Sequence, residues 1–120
     1  MKTKKRVLVV DDQIEILNFI RINLRVAGYD VITARSGEEA LLLVRSDKPD
    51  IMLLDMLMPS MSGLEVLEKL REFSDIPVII FSALNMPEDE VLKHGADDFI
   101  SKPFKINDLK AKIKGLIDRR

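Results

Sequence analysis

The chain has 120 residues, 47% hydrophobic and 32% charged, which is one domain's length with enough apolar material for a core and too much for a disordered polymer. With 19 basic and 20 acidic residues the formal net charge is −1, so no overall field draws the molecule to nucleic acid or to an anionic membrane. Any function must come from the local placement of charge. The absence of cysteine excludes disulfides, thiolate metal sites and cysteine nucleophiles, and suits a cytoplasmic protein. No apolar run approaches the roughly 20 residues needed to cross a bilayer. The basic start Met1-Lys-Thr-Lys-Lys-Arg6 leads into an apolar run too short for a signal peptide and reads as a solvated N-terminus.

The run Arg6-Val-Leu-Val-Val10, stopped by Asp11-Asp12, fits a strand buried on both faces. From Gln13 the period changes: Ile14, Leu17, Ile20, Ile22 and Leu24 lie near helical spacing, with Asp12 as a candidate N-cap and Gly28 as the stop. Tyr29 to Ala34 reads as a second strand, and Ser36-Gly-Glu-Glu39 opens a helix that runs to about Ser46 and ends before Pro49. Ile51-Met-Leu-Leu54 is a third buried strand ending at Asp55. After a loop with Pro59 and Gly63, residues Leu64 to Phe73 form an amphipathic stretch. Pro77 to Phe81 is a fourth strand ending at Ser82, Glu88 to His94 a short helix stopped by Gly95, and Phe99-Ile100 part of a fifth strand. Ile106, Leu109, Ile113 and Leu116 mark a last amphipathic helix.

Five strand-helix units fill residues 1–120 as a single domain. The alternation predicts an α/β, doubly wound (βα)5 architecture with a parallel sheet covered on both faces, because parallel pairs need crossovers and these are right-handed. In such sheets chemistry gathers at the carboxyl ends of the strands. Those ends carry Asp11 and Asp12, Asp55, Ser82 and Lys102. A lone aspartate after a strand is often only a turn former, but the expected architecture would bring all five residues to one rim. Two carboxylates about 4 Å apart repel by roughly 4 kcal/mol at an effective dielectric near 20, and one lysine cannot neutralise three acids. Carboxylate oxygens with waters suit Mg²⁺, and the ion together with Lys102 leaves room for a phosphoryl group.

These residues resemble the receiver domain of two-component response regulators over essentially the whole chain. The likeness rests on Val9-Val-Asp-Asp12, Asp55-Met-Leu-Met-Pro59, Ser62-Gly63, Phe81-Ser-Ala83, Gly95-Ala-Asp-Asp-Phe99 and Lys102-Pro-Phe104, six fragments in order, each at the junction that the order of predicted elements assigns it. The resemblance implies the flavodoxin-like strand order 2-1-3-4-5 and a phosphoacceptor role for Asp55, which would take a phosphoryl group from the phosphohistidine of a sensor histidine kinase or phosphotransfer protein. It implies Mg²⁺ held by Asp12 and Asp55 with the backbone carbonyl of Leu57, and by Asp11 mainly through water. Lys102 and Ser82 would contact phosphoryl oxygens, Phe99 would be the aromatic switch, and Lys102-Pro103 is expected to be cis. It also implies a change of interaction surface, with a homodimer on phosphorylation as one outcome. The downstream effector is unspecified, with no direct nucleic-acid contact by this domain. His94, the single histidine, reads as a helix C-terminal residue and neither a ligand nor a base.

The sequence departs from the commonest family pattern in three places. Serine stands at position 82 where threonine is more frequent. The stretch from Ser82 to Lys102 is shorter than usual, with Asn85-Met-Pro87 delaying the fourth helix and putting it in doubt. Leu57 and Leu84 flank the expected phosphorylation site, and apolar groups there predict slow hydrolysis of an acyl phosphate. Two rival readings are a Mg²⁺-dependent phosphohydrolase with an aspartyl nucleophile and a receiver-like module that works without phosphate. The first is disfavoured because its nucleophile usually follows the first strand in an Asp-x-Asp motif, whereas here the first-strand acids are adjacent.

Overall fold

The computed structural model describes residues 4–83 and 87–119. Five strands alternate with five helices: β1 (Arg6–Val10), α1 (Ile14–Val26), β2 (Asp30–Ala34), α2 (Gly37–Asp47), β3 (Ile51–Asp55), α3 (Gly63–Arg71), β4 (Val78–Ser82), α4 (Glu88–Lys93), β5 (Asp98–Ser101) and α5 (Ile106–Asp118). All pairings are parallel, in the order β2-β1-β3-β4-β5, as expected from the resemblance. The radius of gyration is 13.0 Å, near the value of about 14 Å set by chain length.

The central strands β1, β3 and β4 are apolar but for one end residue each because both faces of the sheet are covered. Val7, Val9, Ile51, Leu53, Ile79 and Phe81 join the core beneath α1 and α5, whereas Leu8, Val10, Met52, Leu54, Val78 and Ile80 join the core beneath α2, α3 and α4. The period of two within each strand thus divides one apolar run between two cores.

The helix ends follow local chemistry. Gly28, with φ +100°, closes α1: its N–H donates to the Arg25 carbonyl and the Tyr29 N–H to the Leu24 carbonyl, a paired arrangement that uses two otherwise orphaned acceptors. The hydroxyls of Ser36 and Ser62 accept the N–H groups of Glu39 and Glu65 and cap α2 and α3. The start of α1 corrects the sequence reading. Gln13, not Asp12, is its N-cap residue and gives no side-chain cap; the Gln13 N–H instead donates to Asp11 Oδ1 at 2.9 Å. Nor do all the periodic residues of α1 face the core, since Ile14 and Ile22 are 43% and 58% exposed. The fourth helix does form, in only six residues, behind a Pro87 cap with no side-chain hydrogen bond. Asn85 and Met86, expected to delay it, lie outside the described residues. The Lys102-Pro103 bond is cis, as expected. Among the described residues no helix is long and apolar enough to cross a membrane.

Two glycines separate close approach from mere helix weakening. A Cβ on Gly63 would lie 2.6 Å from the Asp55 carbonyl oxygen and 2.8 Å from Met56 Cα, both rigid backbone, whereas one on Gly115 meets nothing within 4 Å. We expect Gly63→Ala to lower stability by about 2 kcal/mol or more through overpacking. Gly115→Ala, inside α5, should raise it by about 0.5–1 kcal/mol. Urea unfolding of the two variants checks both signs.

Candidate functional site

The three aspartates converge because β1 and β3 are neighbours and end at the same rim. Asp11 extends the β1 ladder by one residue, its N–H bonded to the Ala34 carbonyl at 3.1 Å, and Asp55 is the last residue of β3. Carboxylate oxygens of Asp11, Asp12 and Asp55, one from each, lie within 4.8 Å of one another. Asp11 and Asp55 are 0% and 4% exposed, and Asp12 is half-buried. In the order 2-1-3-4-5, β1 and β3 flank the point where the chain reverses its direction of winding, the place where open α/β sheets hold ligands.

Lys102 supplies the positive charge. Its Nζ lies 3.0 Å from Asp11 Oδ2 and 3.4 Å from Asp55 Oδ1, and 4.8 Å above the centroid of the Phe81 ring. Its own N–H donates to the Ser82 carbonyl at 2.8 Å, so the last rung between β4 and β5 fixes where the side chain starts. The ammonium is thus held by two carboxylates and an aromatic face.

One lysine leaves three clustered aspartates under-neutralised, and Asp55 registers the deficit. Burial and the neighbouring Asp11 charge push its carboxyl pKa up to about 6, against the lowering influence of Lys102 and of the Leu57 N–H that it accepts. A divalent cation fits this donor set: hard oxygen ligands, excess negative charge and a rim open at Asp12. Ser82 is fully buried at the end of β4. Phe99 on β5 is half-buried and packs against the core beneath α2, α3 and α4. Leu57 sits at the rim with its side chain 53% exposed, whereas Leu84 lies outside the described residues. All the expected site residues except Phe99 therefore gather around one rim. Phe99 stands a step back, opposite Ile80 in the β4–β5 register.

Sequence reasoning missed Phe81 as a platform for Lys102 and the Asp11–Gln13 bond that shapes the first loop. Neither carries a signal, since a strand phenylalanine reads as core and a backbone partner cannot be read from side-chain identity.

Sheet order and acidic rim together define a doubly wound α/β domain suited to holding a cation at its switch point. The chain belongs to the response regulator receiver domain family, which it matches over residues 7–114; phosphorylation and Mg²⁺ are general features of that family, and membership gives the chain a phosphoacceptor signalling role. It is 42% identical over 118 residues to the probable transcriptional regulator ycf27 of Cyanophora paradoxa, covering 97% of this chain and 49% of that protein. It spans about half the length of the curated relatives it matches. The receiver domain of the Francisella response regulator 1452 superposes with a TM-score of 0.92 at 37% identity, covering 97% of this chain and 98% of that one. The response regulator TrrA of Thermotoga maritima, in complex with Mg²⁺-BeF, superposes with a TM-score of 0.86 at 37% identity over 93% and 98%.

The raised pKa of Asp55 has a consequence for stability. A carboxyl whose folded pKa exceeds its unfolded value binds more protons in the native state, so its contribution is fully present below about pH 4 and is lost as pH rises through about 6. Without metal, Asp55→Asn should therefore raise stability at pH 7 by on the order of 2–3 kcal/mol and by much less at pH 4. Urea midpoints at the two pH values check this, and an equal gain at both would mean that Asp55 is not the source.

Proposed function

We propose that the domain is the phosphoacceptor switch of a two-component pathway, with Asp55 taking a phosphoryl group from the phosphohistidine of a sensor histidine kinase or a phosphotransfer protein. The observation that carries this reading is the placement of the Asp55 carboxylate between Asp11 and the Lys102 ammonium, at a rim that holds three acids against one base. An Asp55 oxygen attacks the phosphorus in line; a P–O bond forms, the P–N bond breaks, and its electron pair stays on the imidazole, which leaves neutral when its other nitrogen is protonated. Asp12 and Asp55 with the Leu57 carbonyl, and Asp11 mainly through water, would hold Mg²⁺, which supplies charge neutralisation for the phosphoryl oxygens. Because the oxygens of an acyl phosphate's carboxyl group carry less charge than those of a carboxylate, Lys102 would then pair with a phosphoryl oxygen. The Ser82 hydroxyl donates to a second phosphoryl oxygen, and Phe99 fills the space that the end of β4 gives up.

A phosphohistidine must be presented by another protein, and the surface beside Lys102 suits such a donor. Ile16, Phe19, Ala83, Pro103 and Phe104 line a hollow of about 350 Å³ there, with Phe19 half exposed. We assign the output to a transcriptional effector in the part of such regulators that this chain does not span, with no direct nucleic-acid contact by the receiver itself and residues 1–120 acting as one unit. Loss of the phosphoryl group by water attack is slow on this reading, because Leu57 offers no polar group to orient the water.

Acetyl phosphate with Mg²⁺ should add one phosphoryl group to the chain, seen by intact mass and located to Asp55. Chelation of Mg²⁺ or Asp55→Asn should abolish it. Ser82→Ala should leave the modification in place and remove the response of the Phe99 ring in NMR spectra. Modification that persists in Asp55→Asn would sink the assignment, and steady turnover of small phosphate esters would favour a hydrolase instead.

A further inference from the structure

Arg71, the last residue of α3, lies at the amino-terminal end of the strands, opposite the acidic rim, and joins three segments. Its Nε and Nη2 donate to the Gly95 carbonyl at 3.1 and 2.8 Å, and Nη2 also meets Asp97 Oδ2 at 3.1 Å. Nη1 donates to the carbonyls of Ile76 at 2.7 Å and Ser74 at 3.3 Å. Asp97 Oδ2 accepts the Val78 N–H at 2.8 Å, and the Asp97 N–H donates back to the Val78 carbonyl at 2.9 Å. One guanidinium thus fastens the end of α3 and the entry to β4 to the turn between α4 and β5, where Gly95 takes φ +102°.

The two ends of α4 are held very differently. Its C-terminal end runs into Gly95, which Arg71 grips through two donors. Its N-terminal end begins behind Pro87 without a side-chain cap, Glu88, Asp89 and Glu90 are exposed, and Val91 is the buried residue of the helix. Ser82 and the gripped Val78 are opposite ends of β4, roughly 13 Å apart at strand rise.

We propose that Arg71 is a positioning residue: it pins the α4–β5 turn, so that any displacement started at Ser82 swings α4 about Gly95, large at Glu88 and small at Asp97. This rests on the reading of Asp55 and Ser82 given above. The device needs an arginine, because a lysine keeps the charge but cannot spread planar donors over four acceptors.

Amide NMR of the whole chain, with Mg²⁺ and beryllofluoride as the probe, tests the pin. Shift changes are expected at Ser82, at Glu88 to Val91 and at Phe99, with little change at Val78, Gly95 and Asp97. In Arg71→Gln the changes should spread through Gly95 and Asp97, and in Arg71→Lys they should spread part of the way. Without the probe, the Asp97 amide should exchange about tenfold faster in Arg71→Gln while the β1 and β3 amides keep their rates, which separates local release from global unfolding. Equal changes at Glu88 and Gly95 in the unaltered chain overturn the pin, as does an Arg71→Gln spectrum that stays confined. In both cases Ser82 still responds and the Asp55 reading stands. No response at Ser82 in the unaltered chain sinks that reading, and the pin's role with it, since no displacement would remain to confine.

Discussion

The ammonium of Lys102, shared between the buried carboxylates of Asp11 and Asp55, is the contact on which the rest of the site depends. Burying like charges side by side is unfavourable, and one cation offsets only part of the repulsion. Nothing local favours the cluster. It exists because a parallel sheet ends three strands at one rim and the core beneath fixes their register. Val7 to Val10 and Ile51 to Leu54 are all fully buried, and their packing holds the aspartates in a place where isolated carboxylates would separate. A local rule broken at one rim, in an otherwise consistent fold, marks that rim as functional.

The alternation of side chains along the strands does more than divide the core. In β1, β3 and β4 the apolar residues nearest the rim that face α1 and α5 are Val9, Leu53 and Phe81; two steps on from Val9 and Leu53 come Asp11 and Asp55, so both acids lean toward the side on which Phe81 carries the Lys102 ammonium. Ser82 has the other parity. Val78 and Ile80 face α2, α3 and α4, as Phe99 does, so Ser82 and Phe99 share the opposite face of the sheet. The rim is thus split between a charged side and a side where a hydroxyl precedes an aromatic ring. A pleat of period two makes that separation without any dedicated element.

This split also explains which features were legible in the sequence. Buried strands announce themselves as apolar runs, and their polar ends could be read as a rim before any coordinates. Helix α1 was read less well. Ile14 and Ile22 fit the helical period yet face solvent, because a period cannot distinguish a core stripe from an apolar surface. Asp12 has the right chemistry for an N-cap, but its carboxylate joins the acid cluster while the neighbouring Asp11 takes the loop N–H; a local preference gave way to the site. The partners of Arg71 were beyond reach for another reason. Three of its four acceptors are backbone carbonyls, of residues 74, 76 and 95, and no residue type signals where a carbonyl will be.

The two ends of β4 are therefore mechanically unequal. At its entry Val78 is tied by two hydrogen bonds to Asp97. At its exit the Ser82 carbonyl accepts the Lys102 N–H, and that same lysine carries its ammonium into the acid cluster. A change of charge on Asp55 alters the pull on Lys102 Nζ, and the backbone of Lys102 is one rung from Ser82 and three residues from Phe99. For a switch to respond, the modified and unmodified states must differ in interaction free energy at the element that moves. Here Lys102 both makes the charged contact and bonds the end of β4, so on the proposed reading a charge change at Asp55 would act directly on the last rung between β4 and β5.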